Sequence, residues 1–165
     1  MIRNLNTVDQ MKPKFLLPAQ FKKFGWIILI PSVILGVLYL MLGWEPDILD
    51  IKVFAISFDG FTYGDLFDFT NNNILNEILG TLTVLGGLMV AFSKEFDEDE
   101  LISSMRLECL VWAIYCNYAI LIVAFFLFYG PTFLWVMVFN LFTPLVLFII
   151  RFTWLISKFR KSLKE

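Results

Sequence analysis

LVWAIYCNYAILIVAFFLFYGPTFLWVMVFNLFTPLVLFII, Leu110–Ile150, carries no charged side chain from end to end. A helix rises 1.5 Å per residue and needs about 20 apolar residues to cross about 30 Å of hydrocarbon. This stretch holds two such lengths, Leu110–Tyr129 and Phe133–Ile150, around a Gly-Pro-Thr turn. A turn that short joins antiparallel neighbours, and Gly and Pro supply the break. The expectation is a hairpin of two membrane helices.

Two further runs lack charge: Phe24–Gly43, FGWIILIPSVILGVLYLMLG, and Ile78–Phe92, ILGTLTVLGGLMVAF. The second is short for a crossing unless Ile74 begins it. Hydrophobic residues make up 59% of the chain and charged ones 17%. A soluble chain is about half apolar and about a quarter charged. Backbone groups in lipid must bond internally, so the runs are read as helices. Barrel strands would alternate polar and apolar residues, and these runs do not. The predicted fold is an all-α membrane protein with transmembrane helices at 24–44, 74–92, 107–129 and 133–156. The first run is longer than the h-region of a signal peptide and no small-residue cleavage site follows it, so it is expected to be retained. Met11 offers a second start, so the first ten residues are expected to be dispensable or disordered.

Orientation follows from the basic residues. Lys12, Lys14, Lys22 and Lys23 precede the first run, Lys94 and Arg106 separate the second from the third, and Lys158, Arg160, Lys161 and Lys164 follow the fourth. The segment 45–73 holds only Lys52. The positive-inside rule then sets 1–23, 93–106 and 157–165 in the cytoplasm, and 45–73 on the other side of the membrane. The basic residues are accounted for by topology, so no nucleic-acid partner is expected. Cys109 and Cys116 lie seven residues apart on one predicted helix, about 10 Å along its axis. A disulfide needs Cα atoms within about 7 Å, so both read as small packing residues.

In the outer insertion, Asp59-Gly60 sits between Ile51–Phe58 and Phe61–Phe69, which are β-prone. That is a hairpin signal, with an interfacial helix as the competing reading.

The segment SKEFDEDELISSMRLE, Ser93–Glu108, holds an acidic run. Asp97 and Glu100 suit a capping box, and acids suit a helix N-terminus. Leu101, Ile102, Met105, Cys109 and Trp112 recur as on one helical face, so the third helix is expected to start near Glu98. The functional alternative is a docking surface: Glu95, Phe96, Asp97, Glu98, Asp99, Glu100, Leu101 and Ile102 offer charge and apolar anchors to a basic partner. The run lacks the glycine and final glutamate of a calcium loop.

Polar groups inside apolar runs are costly and invite a functional reading. Glu77 reads as an interfacial cap or as an ion or proton entry point. Glu108 and Arg151 fall within about a turn of each other in the hairpin and are expected to pair. Pro144 frees the carbonyl of Asn140 and should kink the fourth helix, with Asn117 placed to donate to that carbonyl. Pro31 should bend the first helix. Gly80, Gly86 and Gly87 permit close helix approach. No nucleophile elbow, phosphate loop, zinc-protease motif or histidine is present, so no catalytic residue, metal or cofactor is assigned.

The stretches KVFAI (Lys52–Ile56), AFSKEFDEDELISSMRLE (Ala91–Glu108), LFYG (Leu127–Gly130) and VFNLF (Val138–Phe142) resemble an uncharacterised family of small four-helix integral membrane proteins of Bacteroidetes-type bacteria. The resemblance covers most of the chain beyond residue 20. It implies architecture and location, and through neighbouring helix-turn-helix regulators it hints at a signalling pair. The expected role is a non-enzymatic accessory or regulatory protein that binds a protein partner through the acidic segment. The alternative is a small oligomeric transporter or channel subunit, in which a second copy of the chain is a partner.

Overall fold

The computed structural model describes residues 15–43, 46–55, 68–96 and 99–163. Their elements run α1 (Gln20–Leu42), a single 3-10 turn (Asp47–Leu49), β1 (Asp50–Ala55), β2 (Asp68–Asn73), α2 (Leu75–Ala91), α3 (Glu100–Leu127) and α4 (Pro131–Ser162). Helices α1, α3 and α4 are long and apolar enough to cross a membrane, with mean hydropathies of 2.3, 2.2 and 2.4 over an 18-residue window of each. Helix α2, at 17 residues, is a shorter apolar helix. The chain divides into two compact units, 1–27 with 85–165, and 28–84.

In the first unit, α3 and α4 form the hairpin that the charge-free stretch dictates. Phe128 ends α3 in extended conformation, with its N–H bonded back to Ala124. Gly130 adopts φ 65°, which L side chains avoid, and Pro131 opens α4 at the position where a missing N–H is harmless. Pro144 lies inside α4, which continues through it. Helix α3 begins at Glu100, and its cap is Asp99, whose carboxylate accepts from the Glu100 N–H at 2.7 Å. The capping role expected for Asp97 is thereby filled two residues later; Asp97 and Glu98 lie outside the described residues.

Aromatic stacking organises the core of this unit. Phe92 stacks on Phe148 at 5.8 Å and Phe148 on Phe152 at 5.5 Å, with rings within 10° of parallel. Cys109 and Ala113 are fully buried. Both cysteines are free thiols.

Glycine admits the neighbouring helix at two places. A Cβ on Gly25 of α1 would lie 2.9 Å from the Met89 Cβ and the Val90 backbone N of α2. A Cβ on Gly87 would overlap the Leu145 side chain of α4. Gly80, by contrast, faces open space, so of the glycines expected to mediate close approach it does not do so.

The second unit carries a two-stranded antiparallel ladder, Asp50 opposite Asn73 through Ala55 opposite Asp68. Phe54 meets Phe69 edge-on at 5.6 Å. A two-residue turn at Asp59-Gly60, without a bulge, would set Ala55 opposite Gly64; its partner is Asp68. The second strand therefore lies further along the chain than β-propensity suggested, in DFTNNN. Asn73 explains part of this. Its Nδ2 donates to Asp50 Oδ1 (2.7 Å) and to the Pro46 carbonyl (3.0 Å), and its Oδ1 accepts from the Leu75 N–H (3.1 Å). One carboxamide thus closes the ladder and starts α2, a role a branched apolar side chain cannot take. Asp59 and Gly60 themselves lie outside the described residues.

Within the helices, three hydroxyls bond to their own backbone. Ser32, Thr83 and Thr143 donate to the carbonyls of Ile28, Leu79 and Phe139 at 2.7, 2.8 and 3.0 Å. This back-bonding leaves no demand on solvent.

Candidate functional site

The acidic segment is divided by the fold. The side chain of Glu95 is 4% exposed, and it faces inward. Lys22, from the first turn of α1, pairs with its Oε1, and Arg160, from the last turn of α4, donates to its Oε2 at 3.1 Å. One buried carboxylate therefore ties together the start of α1, the α2–α3 connection and the end of α4. Burying a lone carboxylate is prohibitive, and two cations make it tolerable.

Arg106 completes this knot from α3. It is buried, and its Nη1 donates to the carbonyls of Ala91 (2.9 Å) and Ser93 (3.1 Å). Ala91 is the last residue of α2, whose final carbonyls have no partner within their own helix. A guanidinium there both caps the helix and opposes the negative end of its dipole. The Arg106 guanidinium also lies 4.6 Å over the Phe152 ring, a cation–π arrangement. The chain before α1 is held to the same place: the Leu17 N–H bonds the Phe92 carbonyl and the Lys94 N–H bonds the Leu17 carbonyl, both at 2.9 Å.

Of the residues expected to dock a partner, Glu95 and Ile102 are turned inward and unavailable. Phe96 is 77% exposed and lines a groove with α1. Asp99, Glu100 and Leu101 lie on the surface at the start of α3. The knot itself was not read from the sequence, where Lys22, Arg106 and Arg160 counted only as topology markers. A signal was present for one of them. Arg106 stands four residues after Ile102 and three before Cys109, on the very stripe that periodicity assigns to the core.

The polar groups of the apolar helices are also placed. Arg151 Nη2 approaches Glu108 Oε1 at 3.9 Å and its guanidinium lies 4.3 Å over Trp112. The two thus face each other, although the Glu108 side chain is 71% exposed. Asn117 is buried, and its Oδ1 accepts from Asn140 Nδ2 at 3.0 Å. The expected bond from Asn117 to the Asn140 carbonyl is not the one formed: a single hydrogen bond joins the two carboxamides, with Asn140 as donor.

In the second unit, Glu77 is exposed in the first turn of α2 and accepts from Asn72 Nδ2 at 3.0 Å. It borders a polar cleft of about 480 Å³ with Tyr39, Asp50, Asn71, Asn72, Asn73 and Asn76. Among the described residues, no three His, Cys, Asp or Glu side chains are grouped to hold a metal ion.

Comparison with known proteins adds no relative to this geometry: no family model, no curated protein and no solved structure matches the chain.

Proposed function

We propose that the chain is a non-enzymatic integral protein of a bacterial inner membrane, with both termini in the cytoplasm, that holds a protein partner through the exposed start of α3. The observation that supports membrane insertion is the outward display of apolar side chains. In the most apolar windows of α1, α3 and α4, only 11%, 17% and 11% of residues are buried. Helices that are apolar all round need a solvent as apolar as themselves. The basic residues gathered near Glu95 favour the cytoplasmic assignment of that end. The resemblance to small four-helix membrane proteins points the same way.

For docking, Asp99, Glu100 and Leu101 carry the reading, because they combine exposed charge with an apolar anchor. The test is recovery of partners in mild detergent, comparing the wild type with a variant in which Asp97, Glu98, Asp99 and Glu100 become Lys. Glu95 is left intact to preserve the knot. Loss of specific partners is expected, and an unchanged set removes the docking idea.

A second reading, a small oligomeric transporter or channel subunit, draws on the polar cleft beside Glu77. Flux in liposomes that falls in Glu77→Gln would favour it over docking.

A further inference from the structure

We propose that the groove beside the first turns of α1 seats one anionic phospholipid, its phosphate on Lys23 and an acyl chain along Phe24, Ile27 and Phe96. This rests on the membrane reading given above. The groove encloses about 410 Å³ and is lined by Gln20, Lys23, Phe24, Ile27 and Phe96. The four α1 residues fall at i, i+3, i+4 and i+7, so they form a single stripe. Phe96, on the segment between α2 and α3, supplies the other wall.

The order of chemistry along the stripe is that of an amphiphile. Gln20 and Lys23 come first, and the apolar Phe24 and Ile27 follow. From Gln20 to Ile27 is about 10 Å along the axis, the scale of a headgroup and its first chain carbons. Phe24, Ile27 and Phe96 are 59%, 66% and 77% exposed. Three large apolar side chains around one groove call for an apolar filler, which water is not.

Charge selects the headgroup. Among the described residues, Lys23 is the only charged group lining the groove. Its neighbour Lys22 is engaged by Glu95, whereas Lys23 has no ion-pair partner among the described residues. Because Glu95 also draws in Arg160, the fold brings the basic end of α4 to the same carboxylate as the start of α1. An ammonium at the water end of an apolar groove suits a phosphate that carries net negative charge. A zwitterionic headgroup brings its own cation to the same place and gains less.

The test uses the full chain in mild detergent, equilibrated with equal amounts of phosphatidylglycerol and phosphatidylcholine, with bound lipid read by native mass spectrometry. One basic residue near a lipid surface corresponds to about a fivefold preference, so the wild type should retain phosphatidylglycerol by about that ratio. Lys23→Gln should bring the ratio to near one. Phe96→Ser should lower retention of both lipids and keep the ratio. Lys161→Gln, outside the groove, should change neither. Glycerol phosphate should fail to displace the lipid. Equal retention by the wild type, a preference that survives Lys23→Gln, or displacement by glycerol phosphate would each overturn the proposal. Flotation with phosphatidylcholine liposomes separates the two failures: a chain that floats without the preference loses only this inference, and a chain that does not float loses the membrane reading.

Discussion

Glu95 and Phe96 are neighbours in the chain with opposite surroundings, one buried between cations and the other turned outward. Removing the carboxylate in Glu95→Ala leaves Lys22 and Arg160 facing each other without their counter-charge. A fully buried pair broken on one side loses about 3–5 kcal/mol. Here the Lys22 and Arg160 side chains are 25% and 47% exposed, so water screens part of the loss. A drop of about 2 kcal/mol is expected in a denaturation series in detergent. Asn117 and Asn140 make a second test. Asn117→Leu strands the Asn140 carboxamide, and the double Leu variant relieves it. A cycle of the four proteins should give a coupling of about 0.5–1.5 kcal/mol, the range measured for polar pairs between membrane helices. Glu108 and Arg151 should behave asymmetrically: Arg151→Ala also uncovers Trp112, so it should be the more damaging, while Glu108→Ala loses only a long, exposed ion pair.

At the scale of elements, the crossing of α1 and α2 is set by Gly25. Its missing Cβ is replaced by α2 backbone and by the Met89 Cβ, neither of which can rotate away. Gly25→Ala should therefore force the helices apart, with a loss of about 1–3 kcal/mol typical of overpacking. Gly87→Ala should be milder, because Leu145 can change rotamer. Gly80→Ala meets nothing and should be neutral or slightly stabilising. Thermal unfolding of the three single variants ranks them; an equal effect at Gly25 and Gly80 would remove the close crossing. Helix α2 depends in turn on a residue from α3. Arg106→Met would leave the Ala91 and Ser93 carbonyls without their donor, and hydrogen bonds to a charged group contribute about 1.5–3 kcal/mol. Faster amide exchange over the last turn of α2 is the expected signature.

For the whole molecule, the sequence carries the helices plainly. Leu110–Ile150 has no charge and one turn signal, and the structure makes it the α3–α4 hairpin. The β-ladder was legible in kind but not in place. Propensity favoured Phe61–Phe69, which meets β2 only at Asp68 and Phe69, whereas the ladder closes through Asn73, whose value lies in three hydrogen bonds rather than in β-branching. The proposed topology has its own measurement. Cysteine labelling from either side, with probes placed at Lys161 and Lys52 in a chain whose own cysteines are replaced, should find Lys161 cytoplasmic and Lys52 periplasmic. The same side for both would refute an odd number of crossings between the insertion and the tail.

By itself the sequence determined where helices form and that three of them are apolar enough to cross a membrane, because those follow from local composition and spacing. Only the tertiary structure decided, among the described acids of the segment after α2, that Glu95 is buried while Asp99 and Glu100 remain exposed. The partners of Glu95 lie 73 and 65 residues away in the chain, and no local pattern records which distant cation a carboxylate will meet.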